Sequence, residues 1–282
     1  MHCQDCDMME WVANTPETAP AFVLANAGYD VWMGNNRGSR YSLSHKTKKP
    51  TDLDFWDFYQ EDMGMYDLPT LVTFIKGKTG HESISYVGHS EGTTQILMGG
   101  SLNPNFFKNH INLAVLTGPV ACTANIPSKP IRLAAHHIKE IQFLLVHVLK
   151  MYNTWGPMPV AVEALETFCH FFPDLCKTVI GFLHHEGVDN AQRFNMFMSN
   201  LPSGAGYRTF VYYAQMINSG KMELYDYGPV GNKKKYNSAN PPLLPIQDYK
   251  VPTALLSGSL DHLADPVDVA NLAVALGDNL VF

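Results

Sequence analysis

Ser90 stands at the centre of Gly88-His89-Ser90-Glu91-Gly92. A serine in such a G-x-S-x-G run can act as a nucleophile if the backbone turns sharply enough to expose its hydroxyl. The flanks predict that turn: Ser83 to Val87 reads as a strand, Gly88 to Gly92 as the turn, and Glu91 to Gly99 as a helix. Glycines two residues to either side leave room where side chains would collide, and the serine takes a strained backbone conformation. Ser90 Oγ then lies at a helix N-terminus, where the Glu91 backbone N–H can donate to the oxyanion formed when an ester carbonyl is attacked. The Glu91 side chain is expected to point away along the helix. His89, next to Ser90, is expected to support the turn rather than to reach Oγ as a base. An ordinary strand-to-helix turn is the bland alternative.

Asp261 is the second candidate. It follows a strand within Val251 to Ser257 through a loop containing Gly258, a position from which an acid can orient a histidine. The competing reading is a helix N-terminal acid ahead of Pro266, which is favoured for Asp265. In the order Ser…Asp…His the base follows the acid, but only His262 does so, and it adjoins the acid that it would have to face. His136-His137 and His184-His185 read as surface residues of a helical stretch. Cys3 and Cys6 have metal-like or redox-like spacing, but no second pair answers them. No metal and no cofactor is expected, and the five cysteines suggest no disulfide framework.

These residues need a scaffold. A helix within Pro16 to Gly28 leads to a strand, Tyr29 to Met33, and then to the loop Gly34 to Ser39. A basic stretch, His45 to Pro50, precedes an aromatic helix from about Asp54 to Ile75, which Pro69 divides or kinks. Ile111 to Thr117 reads as a strand, and Pro266 to Leu276 as a helix with proline at its first position. Strands alternating with helices imply an α/β fold with a parallel sheet. From Val120 to about Asp248 the chain reads as helical, rich in His, Phe and Met, with no clear strand; Pro241-Pro242 and Pro245 mark its return. The expected division is therefore a core in residues 1–119 and 249–282, with 120–248 as a helical insertion from the carboxyl edge of the sheet.

Composition narrows the function. The 282 residues are 46% hydrophobic and 16% charged, with a net charge of −6. Those values exclude a disordered chain and argue against a nucleic-acid binder that relies on a basic field. The longest uncharged apolar run, Ile141 to Leu149, is far short of the roughly 20 residues of a membrane-spanning helix. Met1 to Asp7 has neither a basic nor an apolar character, so no signal peptide is expected.

Several stretches resemble the acid lipase family, neutral-lipid esterases of the α/β-hydrolase fold. They are Ala25-Asn26-Ala27-Gly28-Tyr29-Asp30-Val31-Trp32-Met33-Gly34-Asn35-Asn36-Arg37-Gly38, Phe55-Trp56-Asp57-Phe58, Tyr66-Asp67-Leu68-Pro69, and the serine turn with Thr93-Thr94. Leu201-Pro202-Ser203-Gly204, Tyr225-Asp226-Tyr227-Gly228 with Asn232 and Tyr236, and Gly258 to Pro266 continue the likeness in order. The resemblance implies an α/β-hydrolase core, a mostly parallel sheet flanked by helices, with an inserted helical cap. It implies Ser90 as nucleophile, Asp261 as triad acid, and triacylglycerol or steryl ester substrates. It also implies a histidine in a His-x-Asp-Phe-like segment further on than Phe282, so the third triad member is expected to be absent from this chain. The strand ending in a His-Gly turn is represented only by His2-Cys3-Gln4, with Cys3 where glycine is expected, and the Gln4 backbone N–H is the expected second oxyanion donor. Both ends of the core, its first strands and its last strand, are thus expected to be missing.

The leading expectation is a serine lipase acting through an acyl-enzyme. The alternatives are a catalytically incomplete fragment or lipid-binding pseudo-hydrolase, and a peptidase or small-ester hydrolase on the same fold. The expected partners are neutral lipid esters, with transient contact of the cap with a lipid interface. The resemblance implies secretion or a lysosomal destination, although no N-x-Ser/Thr sequon is present. Cys169 and Cys176 could pair, but their spacing does not establish it.

Overall fold

The computed structural model describes residues 1–154, Gly156, Arg193, Met196, Phe197, Asn200 and 202–282. Its strands are β1 (Ile84–His89), β2 (Ile111–Thr117), the two-residue β3 (Asn153–Thr154) and β4 (Ala205–Gly206), and β5 (Thr253–Leu256). The first, second and fifth form a parallel sheet in the order β1-β2-β5. Parallel neighbours require crossovers. Helices Glu91–Leu102 and Pro104–His110 make the first crossover, and the long stretch of chain between β2 and β5 makes the second.

Register brings three strand ends to one edge, with His89 beside Thr117 and Thr117 beside Leu256. The sheet continues on both sides by a pair of backbone hydrogen bonds. Met1 N donates to Val87 O at 2.6 Å and His89 N to Met1 O at 3.0 Å. On the far side Val281 N donates to Thr253 O and Leu255 N to Phe282 O, each at 2.8 Å.

In chain order the helices are α1 (Pro20–Asn26), α2 (Gln60–Asp62), α3 (Leu68–Thr79), α4 (Glu91–Leu102), α5 (Pro104–His110), α6 (Lys129–His136), α7 (Ile138–Phe143), α8 (Tyr207–Ser219), α9 (Gly228–Tyr236) and α10 (Pro266–Leu276). Helix α4 is buried on every side from Glu91 to Ser101, so it joins two layers of core rather than capping one. Its Ile96 and Leu97 pack with Phe107, Leu116, Tyr249 and Leu272 against the sheet. Its Met98 packs with Trp56, Tyr59, Met63, Tyr212 and Met216 on the other side. Among the described residues no helix is long and apolar enough to cross a membrane.

Three expectations need correction. Tyr29 to Met33 is not a strand: among the described residues no neighbouring strand gives it a ladder, and β propensity alone does not make a strand. The aromatic helix is also interrupted. A 3-10 turn, Leu53–Trp56, precedes α2, and a π turn, Met63–Asp67, leads into α3. Leu68 N bonds back to Met63 O, so the wide turn lies immediately before Pro69. That proline, which has no N–H to give, comes directly after the π turn in a helical stretch that runs on from α2 to α3, so the wide turn falls where an i−4 donor is missing. Finally, residues 120–248 contain two short strands, β3 and β4, paired antiparallel. His136 and His137 are exposed, whereas Cys169, Cys176, His184 and His185 lie outside the described residues.

Candidate active site

Ser90 sits between β1 and α4 with φ +48° and ψ −109°, a backbone conformation that costs a residue with a Cβ about 1–3 kcal/mol. Local bonds hold it there. Ser90 N donates to Thr117 O at 3.0 Å, and Thr93 returns to Ser90 O through both its N–H (2.9 Å) and its Oγ1 (2.6 Å). Thr93 Oγ1 in turn accepts from Val120 N, and Thr94 Oγ1 donates to Val120 O, tying the turn to the chain leaving β2. Gly92 is necessary for the close approach on its other side. A Cβ there would collide with Met1 O and lie 2.9 Å from the Met1 carbonyl carbon.

That contact brings in the N-terminal segment. Gly92 N donates to His2 O at 3.1 Å, which places His2-Cys3-Gln4 against the serine turn. Neither the Glu91 N–H nor the Gln4 N–H has a hydrogen-bond acceptor among the described residues. Cys3 and Cys6 form a disulfide, a bridge that the expectation of no disulfide framework did not include. Their Sγ atoms lie close to the Glu10 carboxylate, but bonded sulfurs offer no thiolate. Spacing alone could not separate a metal pair, a redox pair and a bridge.

Beneath the turn lies a buried polar network. Glu91 is 2% exposed, so its side chain turns inward, contrary to expectation. Its Oε1 accepts from Gln60 Nε2 at 2.9 Å and its Oε2 from Asn36 Nδ2 at 3.1 Å. Asn36 N donates to His2 Nε2 at 2.8 Å, so His2 carries its proton on Nδ1, which bonds Cys3 O at 2.8 Å. Burial lowers the His2 pKa and keeps the ring neutral. On the other flank Gln60 Nε2 reaches Thr209 O, and Gln4 Nε2 donates to Thr209 Oγ1 at 2.6 Å. Burial pushes the Glu91 carboxyl up to about 8; the Gln60 and Asn36 hydrogen bonds pull it down and the Glu10 charge adds to the rise.

Asp261 lies at the same edge of the sheet, beyond β5. Its Oδ1 accepts from Leu263 N and Ala264 N at 2.8 and 2.9 Å, a loop-closing pattern typical of aspartate. Gly118, at the end of β2 with φ +51°, lies between this acid and His89: a Cβ there would be 3.6 Å from Asp261 Oδ2 and 3.7 Å from His89 Nε2. His89 Nδ1 stands 3.4 Å from Glu10 Oε2, so its ring bridges toward two acids beside the serine turn. Among the described residues no histidine hydrogen-bonds Ser90 Oγ. Asp265 caps α10 by accepting from Val267 N, as expected from its place before Pro266. Gln60, Thr209 and Glu10 line the site without having carried a signal in the sequence. Asn36 alone carried a signal, because it lies in a stretch that supports the family resemblance.

A family model described as alpha/beta hydrolase fold matches residues 13–150. Gastric triacylglycerol lipase of Rattus norvegicus is 36% identical, the match covering 96% of this chain and 69% of the relative. Lysosomal acid lipase/cholesteryl ester hydrolase of Homo sapiens is 35% identical, covering 98% of this chain and 69% of the relative. Lipase member K of Mus musculus is 33% identical, with 96% and 68% covered.

Proposed function

Because the chain belongs to the acid lipases of the α/β-hydrolase fold, carboxylic ester hydrolases, we propose that it cleaves triacylglycerols or steryl esters through Ser90 and an acyl-enzyme. The observation that carries this reading is the positive φ of Ser90 at the junction of β1 and a buried helix. A non-glycine residue is kept in so costly a conformation where the surrounding structure over-determines it, and such strain clusters at functional sites.

In this mechanism Ser90 Oγ attacks the ester carbonyl while a histidine base takes its proton, and Asp261 orients that base. The carbonyl oxygen becomes an oxyanion and accepts from the Glu91 and Gln4 N–H groups. The base then gives the proton to the departing alcohol, and water repeats the sequence on the acyl-enzyme. His262 adjoins Asp261 and His89 adjoins Ser90, so the base is assigned to neither.

Residues 120–248 act in this reading as a cap. Supporting contacts join the segment to the site: Ser203 N donates to Asp5 O, Thr209 accepts from Gln4, and Tyr213 Oη meets Thr94 Oγ1 at 3.2 Å. Leu133, Phe143, Leu144, Val148 and Leu149 are exposed on α6, α7 and the turn after them, an apolar surface suited to transient contact with a lipid interface. A secretory route, to the lysosome or the exterior, follows from the relatives, and the Cys3–Cys6 bridge is compatible with it.

The test is covalent labelling. A fluorophosphonate should modify Ser90, and Ser90→Ala should remain unlabelled; label on another residue would discard the mechanism. With p-nitrophenyl esters, decanoate should be cleaved faster than acetate, and the reverse preference would remove the lipase specificity. A folded protein that takes no label would favour a lipid-binding role without catalysis.

A further inference from the structure

We propose that the Glu91 side chain is a positioning residue that fixes both oxyanion donors in one frame. The proposal rests on the serine-esterase reading of the same site. Glu91 contributes its own backbone N–H at the start of α4, and its carboxyl group sends two arms to the segment that carries the other donor.

The first arm runs from Glu91 Oε2 through Asn36 to His2 Nε2, and from His2 Nδ1 to Cys3 O. Cys3 O and Gln4 N belong to one peptide group, which is planar. A hydrogen bond that fixes the direction of the carbonyl therefore fixes the opposite direction of the Gln4 N–H. The second arm runs from Glu91 Oε1 through Gln60 to Thr209, whose Oγ1 receives the Gln4 side-chain amide. The donor peptide is thus gripped on both sides, and the two grips meet at one carboxyl group.

The surroundings suit an acid that keeps its proton. Among the described residues Asn36 Oδ1 and Gln60 Oε1, the acceptors of the two amides that bond Glu91, are buried without a hydrogen-bond donor, and a protonated carboxyl adds one donor to that enclosure. The groups that face Glu91 bring little positive charge. Asp5 and Glu10 approach from the N-terminal segment, and burial together with the Glu91 charge raises the Asp5 pKa as well. His2 is kept neutral by burial, and the Met1 amino group, its pKa lowered by burial, lies nearer Glu10. Tyr86 on β1 and Tyr213 on α8 complete the enclosure; both sense Glu91, and burial raises both of their pKa values. Asn36 and Gln60 are amides. An ionised Glu91 would be a buried charge answered by two amide N–H groups alone, which destabilises the folded turn that carries both donors.

The sign follows from proton binding. With the folded carboxyl at about 8 and the unfolded one near the ordinary glutamate value of about 4.3, the folded state binds more protons between those limits. Stability therefore falls as pH rises through that window. Between pH 6 and pH 9 the neutral fraction of Glu91 drops roughly tenfold, and Ser90 acylation should drop with it.

The experiment compares wild type, Glu91→Gln and Asp5→Asn by fluorophosphonate labelling rate at pH 6 and pH 9 and by melting temperature across the same range. The pH 9 to pH 6 ratio of labelling rates should rise roughly tenfold in Glu91→Gln relative to wild type, and its melting profile should flatten. An unchanged ratio in Glu91→Gln, or a change seen only in Asp5→Asn, would overturn the proposal. If wild type takes no label at any pH while the Glu91→Gln melting profile flattens, the esterase reading and the oxyanion role fall together and only the neutral acid stands. A Glu91→Gln melting profile parallel to wild type would remove the neutral acid itself.

Discussion

Beneath Ser90, elements distant in sequence contribute polar side chains to one buried network: His2, Asn36, Gln60, Glu91 and Thr209. Around Asp261 a single loop closes on its own backbone, through Leu263 N and Ala264 N, and Gly118 leaves the space in front of the acid open. The two sides of one candidate site therefore differ in what a substitution can disturb. On the serine side stability and chemistry are coupled in the proposed mechanism, because the groups that hold the fold would also aim the donors. On the acid side they are separable, because the oxygen that closes the loop is Oδ1 and the one that faces Gly118 is Oδ2.

The largest expected effect on stability lies at the closest contact of the serine side. Gly92→Val would drive its side chain into the Met1 backbone, which cannot swing aside as a flexible side chain would. A loss of about 3 kcal/mol is expected, seen as a lower urea midpoint at unchanged m-value. Wild-type stability in this variant would show that the N-terminal segment does not sit against the turn, and the contrast between the two sides would collapse. Next is Asn36→Ala, which removes the donor to Glu91 Oε2 while the backbone N–H to His2 remains. Leaving a buried acceptor short of a partner costs about 1–3 kcal/mol. The loss should be larger at pH 9 than at pH 6, since an ionised Glu91 needs that donor more. An equal loss at both values would place the titration elsewhere.

The same contrast explains what could be read from the sequence. The strand, turn and helix around Ser90 were legible because the signal is local: glycines at fixed offsets between an apolar run and a helical one. β2, α10 and the β5 loop bearing Asp261 were legible for the same reason, as was the role of Asp265 as a cap. The inward turn of Glu91 was not, since its partners come from positions 36 and 60 and a charged residue at a helix start ordinarily faces solvent. Gln60 gave no signal at all, because a helix expected from about Asp54, with its break or kink placed at Pro69, concealed the turn before α2 that aims it. Tyr29 to Met33 failed for a related reason: a strand requires a partner, and sequence pattern does not say whether one is present.

The smallest effect on stability is expected at Asp261, and there the acid side of the comparison can be decided. Asp261→Asn keeps Oδ1 as an acceptor for Leu263 N and Ala264 N, so the loop should close as before and stability should stay within about 0.5 kcal/mol of wild type. The charge that would orient and stabilise a protonated histidine is lost, and in protein that carries the base histidine ester turnover should fall by roughly three to four orders of magnitude. Thermal unfolding and p-nitrophenyl decanoate hydrolysis, measured on the same preparations, separate the two roles. A variant that loses stability but keeps its turnover would make Asp261 a loop-closing residue like Asp265, with the triad acid elsewhere. A variant that melts normally and turns over poorly would establish that the open side of the site, with so little structure invested in it, carries the chemistry of the acid alone.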